Sequence, residues 1–219
     1  MEPRSREGAF RMPIDRVFIM KGFGTVVTGT TISGQIRVGD EVQVYPGDLR
    51  ARVRGLQVHN ISVDAVEGGF RTAVNLQGVD RSQINRGDIL AYPGALRRSR
   101  FLDAEIHYLP GAARPLKNRA RVRFHTGTSE IMAGVILLDR EILEPGQSGL
   151  IQLFLEKPTA LLPKDKFVIR SYSPVYTIGG GSILDVRPRR HRKGHEGLIR
   201  DLTLLQIANQ DEIKGFFIK

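Results

Sequence analysis

Cysteine and tryptophan are both absent from this chain of 219 residues. Without cysteine, disulfide bonds and a catalytic thiol are excluded, and a reducing compartment is allowed. No apolar run approaches the ~20 residues that a membrane-spanning helix needs; the longest are stretches such as residues 134–138 and 150–155. The N-terminal segment MEPRSREGAF lacks the apolar core of a signal peptide. These absences predict a cytoplasmic protein without a membrane partner.

Motifs for nucleotide hydrolysis and covalent catalysis are also missing. No stretch matches the phosphate loop G-x-x-x-x-G-K-[ST], and no G-x-S-x-G elbow occurs. The glycines within residues 22–24 lead into strand-forming residues, whereas a phosphate loop must open a helix. Those at 179–181 lie between two predicted strands, where they allow a bend or a close backbone approach. We therefore expect no enzyme activity and no cofactor in this chain.

The histidines show no metal-ligand spacing except His191 and His195, which we assign to a solvated basic run, so no metal site is predicted. The overall charge is more informative. Lysine and arginine number 33 against 23 acidic residues, a formal net charge of +10. Such an excess favours a polyanionic partner, nucleic acid above all. The alternative is a basic protein that is merely soluble.

Short β-branched runs separated by glycine-rich turns dominate residues 13–46. This pattern is typical of a small closed β-barrel. Further predicted strands at 50–58, 72–76 and 89–91 complete a first unit over residues 10–95, which follows a polar tail or linker remnant at 1–9.

A second β-rich unit is predicted over residues 96–186. Its strands are expected at 101–109, 120–125, 130–138, 150–155, 167–172 and 183–186. Residues 187–195 then form a basic linker, and apolar residues at 198, 199, 202 and 205 follow at helical spacing. We expect this helix, within residues 187–219, to begin a further domain or to dock on the second barrel. The predicted fold class is therefore all-β, with two tandem β-barrels followed by the start of a helix.

Four motifs occur in order along the first unit. They are Asp15-Arg16-x-Phe18, the hairpin GFGTVVTGT at 22–30, Val38-Gly39-Asp40 and QINRGD at 83–88. With them, residues 10–186 resemble the second and third domains of translational GTPases, namely elongation factor Tu and the selenocysteine-specific elongation factor SelB. The resemblance implies that the first barrel holds the aminoacylated CCA end of a tRNA and the second its T arm. The GTPase domain, with GTP and Mg²⁺, would lie outside this chain.

Charge at the amino-acid pocket separates the two factors. The opening positions are acidic in the general factor, whereas here, as in SelB, they are Asp15 and Arg16, and Arg71 supplies a second arginine. A selenol is ionised at neutral pH but a serine hydroxyl is not. The resemblance therefore implies that both arginines favour selenocysteinyl-tRNA over its seryl precursor, while Asp15 holds an arginine or accepts the α-amino group. The alternative is a surface ion-pair cluster worth ~0–1 kcal/mol.

The resemblance also assigns apolar and small residues to the two pockets. Phe18 and Thr28 would be walls of the aminoacyl pocket, and the terminal adenosine would contact Met20, Gly22, Val26 and Phe70. The alternative for Phe18, Met20 and Val26 is that all three fill the barrel core.

One segment of the second unit alternates basic and mostly apolar residues. Arg119, Arg121, Arg123 and His125 occupy the odd positions, so one face of the strand would be basic. The resemblance implies that this face contacts the tRNA T arm, and arginine suits phosphate because its donors fork across two oxygens. The alternative is a solvated strand face.

Taken together, the resemblance implies the tRNA-binding module of a factor that carries selenocysteinyl-tRNA to the ribosome at recoded UGA codons. Domains downstream of this chain would bind the selenocysteine insertion element of the mRNA. Two alternatives stay open: the equivalent module of another translational GTPase, or a general basic nucleic-acid-binding β-protein. A free-standing GTPase is not expected, since the phosphate loop is missing.

Overall fold

The computed structural model describes residues 8–191 and 196–207. The chain divides into two compact units, the first reaching Arg98 and the second comprising most of the chain from Ser99 onward. Most of the expected tail, four residues of the basic linker and residues 208–219 lie outside the described part.

The first unit contains a closed six-stranded barrel. In chain order the strands of the unit are β1 (Arg11–Met20), β2 (Gly24–Thr30), β3 (Gln35–Arg37), β4 (Glu41–Tyr45), β5 (Leu49–Val58), β6 (Ile61–Val63), β7 (Ala65–Glu67), β8 (Arg71–Gln77) and β9 (Ile89–Ala91). The order β4-β9-β1-β2-β8-β5 closes through β4–β5, β6 extends the sheet from β5, and β3 pairs with β7. A 3-10 turn at Arg81–Gln83 precedes β9. Phe10, Met12 and Ile14 alternate into the core with Val27 and Val74.

A β-bulge interrupts the pairing of β1 with β2. The register changes from Ile14 opposite Gly29 to Arg16 opposite Thr28, so Asp15 is the extra residue. A bulge re-aims side chains and breaks the inward–outward alternation. The backbones approach closely here: a Cβ on Gly29 would lie 2.1 Å from the carbonyl oxygen of Pro13. Only glycine fits this position without a backbone shift, and the bulge turns Asp15 toward the end of β2.

The second unit contains another closed six-stranded barrel. Its strands are β10 (Arg97–Tyr108), β11 (Leu116–Lys117), β12 (Arg121–Thr126), β13 (Ser129–Leu137), β14 (Ile142–Leu143), β15 (Ser148–Leu161), β16 (Lys166–Ser171) and β17 (Thr177–Asp185), and helix α1 (Glu196–Ile207) follows. The ring order is β10-β15-β13-β12-β16-β17, and β11 pairs with β14 outside it. The two barrels confirm the predicted fold class.

The glycine run of the second unit lies inside β17, which starts six residues earlier than predicted and does not form a turn between two strands. A Cβ on Gly181 would lie 1.9 Å from the carbonyl oxygen of Glu105, and one on Gly179 would lie 2.8 Å from that of His107. The run therefore lets β10 and β17 approach closely, one of the two roles expected for it.

Helix α1 docks on the second barrel, which is one of the two arrangements expected from the sequence. Leu202 and Leu205 are buried with Leu138, Leu150 and Leu184 of the barrel. No helix in the described part of the chain is long and apolar enough to cross a membrane.

A buried polar network holds the segment after β17 against the same barrel. The amide nitrogen of Gln152 donates to Asp103 Oδ1 at 2.8 Å and to the carbonyl oxygen of Arg189 at 2.9 Å. His191 Nε2 lies 2.7 Å from Asp103 Oδ2, and Asp103 is 1% exposed. The assignment of His191 to a solvated run was therefore wrong, because a buried carboxylate requires a partner.

Candidate aminoacyl and nucleic-acid sites

Asp15 is the centre of a polar cluster built by three neighbouring strands. The Arg71 guanidinium grips its carboxylate with two nitrogens: Nη2 donates to Oδ1 at 3.1 Å and Nη1 donates to Oδ2. Thr28 Oγ1 donates to the same Oδ1 at 2.7 Å. The bulge in β1 supplies Asp15, β2 supplies Thr28, and the first residue of β8 is Arg71, opposite Thr30. Three predicted aminoacyl-site residues thus lie in direct contact.

The electrostatics of this cluster leave a surplus positive charge. Burial raises the pKa of Asp15, but the hydrogen bonds from Arg71 and Thr28 and the charges of Arg71 and Arg16 outweigh burial, so its pKa lies below the usual value. The hydrogen bond to Asp15 in turn raises the pKa of Arg71. Asp15 is ionised at neutral pH and cancels one of the two arginine charges.

Arg16 carries the surplus. It is exposed and lies opposite Thr28 in the register, and it makes no side-chain hydrogen bond or ion pair with another described residue. It lines a cleft of about 380 Å³ together with Asp15, Phe18, Arg81 and Arg86. Both Arg16 and Arg71 act electrostatically on the Asp15 carboxylate, so an anion beside this carboxylate meets a net cationic site. Sequence reasoning did not assign Arg81 or Arg86 to the site, although Arg86 belongs to the QINRGD motif.

The apolar pocket residues fall into two environments. Phe18 is 36% exposed and Met20 is 39% exposed, so the alternative that they fill the core is wrong for both. Val26 is buried but lies outside the core cluster, opposite Phe18 on the β1–β2 ladder. Gly22 is in the hairpin turn with a φ of 82°. These four predicted residues follow one another along the hairpin.

Phe70 lies elsewhere. It is 49% exposed and immediately precedes Arg71, which pairs with the last residue of β2. Met20 pairs with Gly24, the first residue of β2. The six residue steps between those ends of β2 span about 20 Å. The structure therefore places Phe70 beside the Asp15 cluster and does not bring it to Met20 and Gly22.

Asn75 is a residue that sequence reasoning missed. It lies opposite Val26 on β2 and opposite Gly55 on β5. Its Oδ1 is buried and has no hydrogen-bond partner, an unusual state for a buried polar atom. The available signal was one amide inside the otherwise mostly apolar segment TAVNL.

The basic strand of the second barrel has the predicted alternation, with Val122, Phe124 and Thr126 buried. Acidic partners accompany its arginines. Arg121 Nη2 donates to Glu156 at 2.6 Å, and Arg123 Nη1 donates to Glu130 at 2.5 Å. These carboxylates come from other strands, so the face carries less net charge than its arginines suggest.

Tyr172 belongs to this basic face, and Arg119 lies outside it. Tyr172 lies under both guanidinium groups, with ring-centroid distances of 4.9 Å to Arg121 and 5.9 Å to Arg123. Such cation–π contacts attract both guanidinium groups to the face of the ring. Arg119 precedes β12 and has a φ of 63°, so it belongs to a turn and not to the alternating face.

Comparisons with known proteins find family matches for both barrels. Residues 24–91 match the family model described as "Elongation factor Tu domain 2", and residues 103–190 match "Selenocysteine-specific elongation factor, beta-barrel domain". The chain is 42% identical over 211 residues to the Selenocysteine-specific elongation factor of Desulfomicrobium baculatum, covering 96% of this chain. The chain belongs to the selenocysteine-specific elongation factor family.

Relatives of the family extend beyond this chain. The chain spans 33% of the Desulfomicrobium factor. It is also 30% identical over 190 residues to Elongation factor Tu 2 of Streptomyces avermitilis, covering 85% of this chain and 48% of that protein. This family member thus corresponds to the β-barrel part of a translational elongation factor. Among its described residues, no group of three or more His, Asp or Glu side chains is arranged to hold a metal ion.

Proposed function

We propose that this chain is the tRNA-binding module of a selenocysteine-specific elongation factor. Residues 10–95 bind the aminoacyl and CCA end, residues 96–186 bind the T arm, and residues 187–219 lead toward a further domain. The observation that carries this proposal is the Asp15 cluster. The Asp15 carboxylate accepts hydrogen bonds from Arg71 and Thr28, and the charge of Arg16 acts on it electrostatically.

The chemistry follows from the charge balance. Asp15 orients Arg71 through two hydrogen bonds. The positive charge of Arg16 is therefore not cancelled by Asp15. A selenolate beside this cluster gains a charge-assisted contact, worth ~1.5–3 kcal/mol, that a neutral serine hydroxyl does not make. The aminoacyl group would lie between Phe18 and Thr28, and Phe70 would flank it from the Arg71 side.

The terminal adenosine would lie farther along the hairpin. Phe18 and Met20 present exposed apolar surface on β1, and Gly22 lets the backbone come close to a ligand. Val26 forms the floor between them. On the second barrel, Arg121, Arg123 and His125 would contact the T-arm backbone, and Arg119 would do so from the adjoining turn.

The activity of the whole protein extends beyond these residues. GTP and Mg²⁺ would bind in a nucleotide domain outside this chain. This chain would itself carry out no GTP hydrolysis. The intact cytoplasmic factor would deliver selenocysteinyl-tRNA to the ribosome at recoded UGA codons, and downstream domains would bind the selenocysteine insertion element of the mRNA. The similarity to a relative named as a selenocysteine-specific elongation factor supports this assignment.

The test compares binding of selenocysteinyl-tRNA and seryl-tRNA to this chain. We expect the selenocysteinyl form to bind more tightly, and we expect Arg16→Gln to reduce that preference by about tenfold to a hundredfold, the loss of one charge-assisted contact. Arg50→Gln is the control, because it removes one charge from an exposed ion pair on the same barrel.

Two outcomes would favour the alternatives. Equal binding of both aminoacyl forms would support the module of another translational GTPase. The match to elongation factor Tu domain 2 is compatible with this alternative. Binding that is indifferent to aminoacylation would support a general nucleic-acid-binding protein.

A further inference from the structure

Two arginines face each other on the outside of the second barrel. Arg123 of β12 and Arg170 of β16 are direct partners in the antiparallel register. Cross-strand partners have Cβ atoms about 5 Å apart, and like charges at such positions destabilise a sheet. Nothing in the sequence pattern announced this pair, since Arg170 follows the apolar segment FVI.

Two buried side-chain nitrogens of this region have no hydrogen-bond partner. Arg170 Nε and His125 Nε2 are both buried, and neither makes a hydrogen bond. Folded proteins pair the large majority of buried polar atoms, so two unpaired nitrogens on adjacent strands require an explanation. Both nitrogens lie beneath the surface, so a ligand reaches them only after a neighbouring side chain moves, and a phosphate that draws Arg123 away from Glu130 would bring about such a movement.

A single carboxylate partly compensates the cluster. Glu130 Oε1 accepts from Arg123, while its Oε2 lies 3.9 Å from His125 Nε2, beyond hydrogen-bond distance. Burial lowers the pKa of His125, and the charges of Arg170 and Arg123 lower it further against the opposing effect of Glu130. With His125 neutral, two arginines and one glutamate leave a net charge of about +1.

We propose that Arg123, Arg170 and His125 form a seat for one backbone phosphate of an RNA, and that Glu130 competes with this phosphate for the arginines. The proposal deepens the T-arm contact and rests on the proposed function. Guanidinium forks match phosphate oxygens, which accept several N–H donors at once. Tyr172 keeps the Arg123 side chain above its ring, so the seat is partly formed before RNA arrives. Binding transfers Arg123 from Glu130 to the phosphate.

The experiment measures the affinity of this chain for tRNA as a function of salt concentration. Arg170→Gln should weaken binding about fivefold to tenfold at low salt and reduce the log–log salt slope by about 0.7–0.9, the loss of one phosphate contact. Lys166→Gln is the matched control: it removes the same charge from the same strand, at an exposed position about 13 Å away along β16. The control should change the slope by less than half as much.

Glu130→Gln tests the competition. Removing this carboxylate should tighten tRNA binding by about threefold to tenfold, since one opposing charge close to the phosphate is lost. Equal effects of Arg170→Gln and Lys166→Gln would overturn the proposal in favour of net charge alone. Unchanged or weaker binding by Glu130→Gln would also overturn it. Circular dichroism of each variant checks that the barrel is intact.

A second measurement separates this proposal from the proposed function. Nuclear magnetic resonance of the His125 ring and Arg170 Nε during titration with inorganic phosphate should show saturable shifts that Arg170→Gln abolishes. Such shifts in a chain that binds no tRNA would refute the proposed function and assign the seat to free phosphate. Such shifts that tRNA does not compete away would likewise refute the RNA assignment. Absence of any shift, together with tRNA binding unaffected by Arg170→Gln, would refute the seat alone.

Discussion

The pH dependence of stability should report the buried carboxylate that anchors the segment after β17. Burial raises the pKa of Asp103 to about 6, against hydrogen bonds from Gln152 and His191 and the charge of His191, while Asp185 adds to the rise. The ordinary value is 3.8. The folded protein therefore holds this proton more tightly than the unfolded chain does.

The sign of the effect follows from that difference. A carboxyl group whose pKa is raised on folding contributes stability below its unfolded pKa and loses it as the pH rises through the folded pKa. The window here runs from about pH 4 to about pH 6. A difference of about two pKa units corresponds to ~3 kcal/mol.

Asp103→Asn removes this titration and keeps the shape of the side chain. The amide oxygen still accepts from Gln152, and the amide nitrogen donates to His191 Nε2. Other carboxyl groups, such as Asp15 and Glu130, have lowered pKa values and act in the opposite direction. The useful quantity is therefore the difference in the free energy of unfolding between the variant and the unmodified chain.

We expect this difference to shift by up to ~3 kcal/mol in favour of the variant between pH 4 and pH 7. Urea denaturation followed by circular dichroism at several pH values measures it, and fits use the transition of the second barrel, since two units need not unfold together. A difference that stays constant with pH, or shifts in favour of the unmodified chain, would refute the reasoning.

The remaining predictions concern packing in the second unit. Gly181→Ala should destabilise the barrel by more than ~3 kcal/mol, because its Cβ would overlap the Glu105 carbonyl oxygen. Gly134→Ala is the control and should be tolerated, since its Cβ meets nothing within 4 Å. Equal losses of stability in both variants would contradict the packing argument. Leu202→Ala should cost ~2–5 kcal/mol, limited by the free energy of helix docking, and limited proteolysis of α1 measures the loss. Leu204→Ala, on the exposed side, should leave the cleavage rate unchanged.

Local signals were sufficient for the barrels. Turn glycines, period-two alternation and β-branched runs act within a few residues, and they predicted two barrels and the inward positions of β12. The same signals misplaced the start of β17, because a glycine run within a strand has the composition of a turn. Glycine is needed in this strand because β10, a segment about 75 residues away in the chain, approaches it closely.

The candidate site was less predictable. Asp15 and Arg71 are 56 residues apart in sequence, and the resemblance to a family suggested their pairing. The exposure of Phe18 and Met20 was undetermined, because an apolar side chain near the end of a hairpin fits a core and a ligand pocket equally well. Phe70 was assigned to the adenosine site, although strand register places it beside Arg71.

The order of residues along the chain determined the fold class, the hairpin and the positive charge, since each depends on composition or on neighbours in sequence. Only the tertiary structure decided which charges meet. Glu130 and Glu156 neutralise arginines of β12, Arg170 faces Arg123, and His191 reaches a buried aspartate. Barrel closure sets these pairings through strand register, and electrostatic interactions depend on distance in space and not along the sequence.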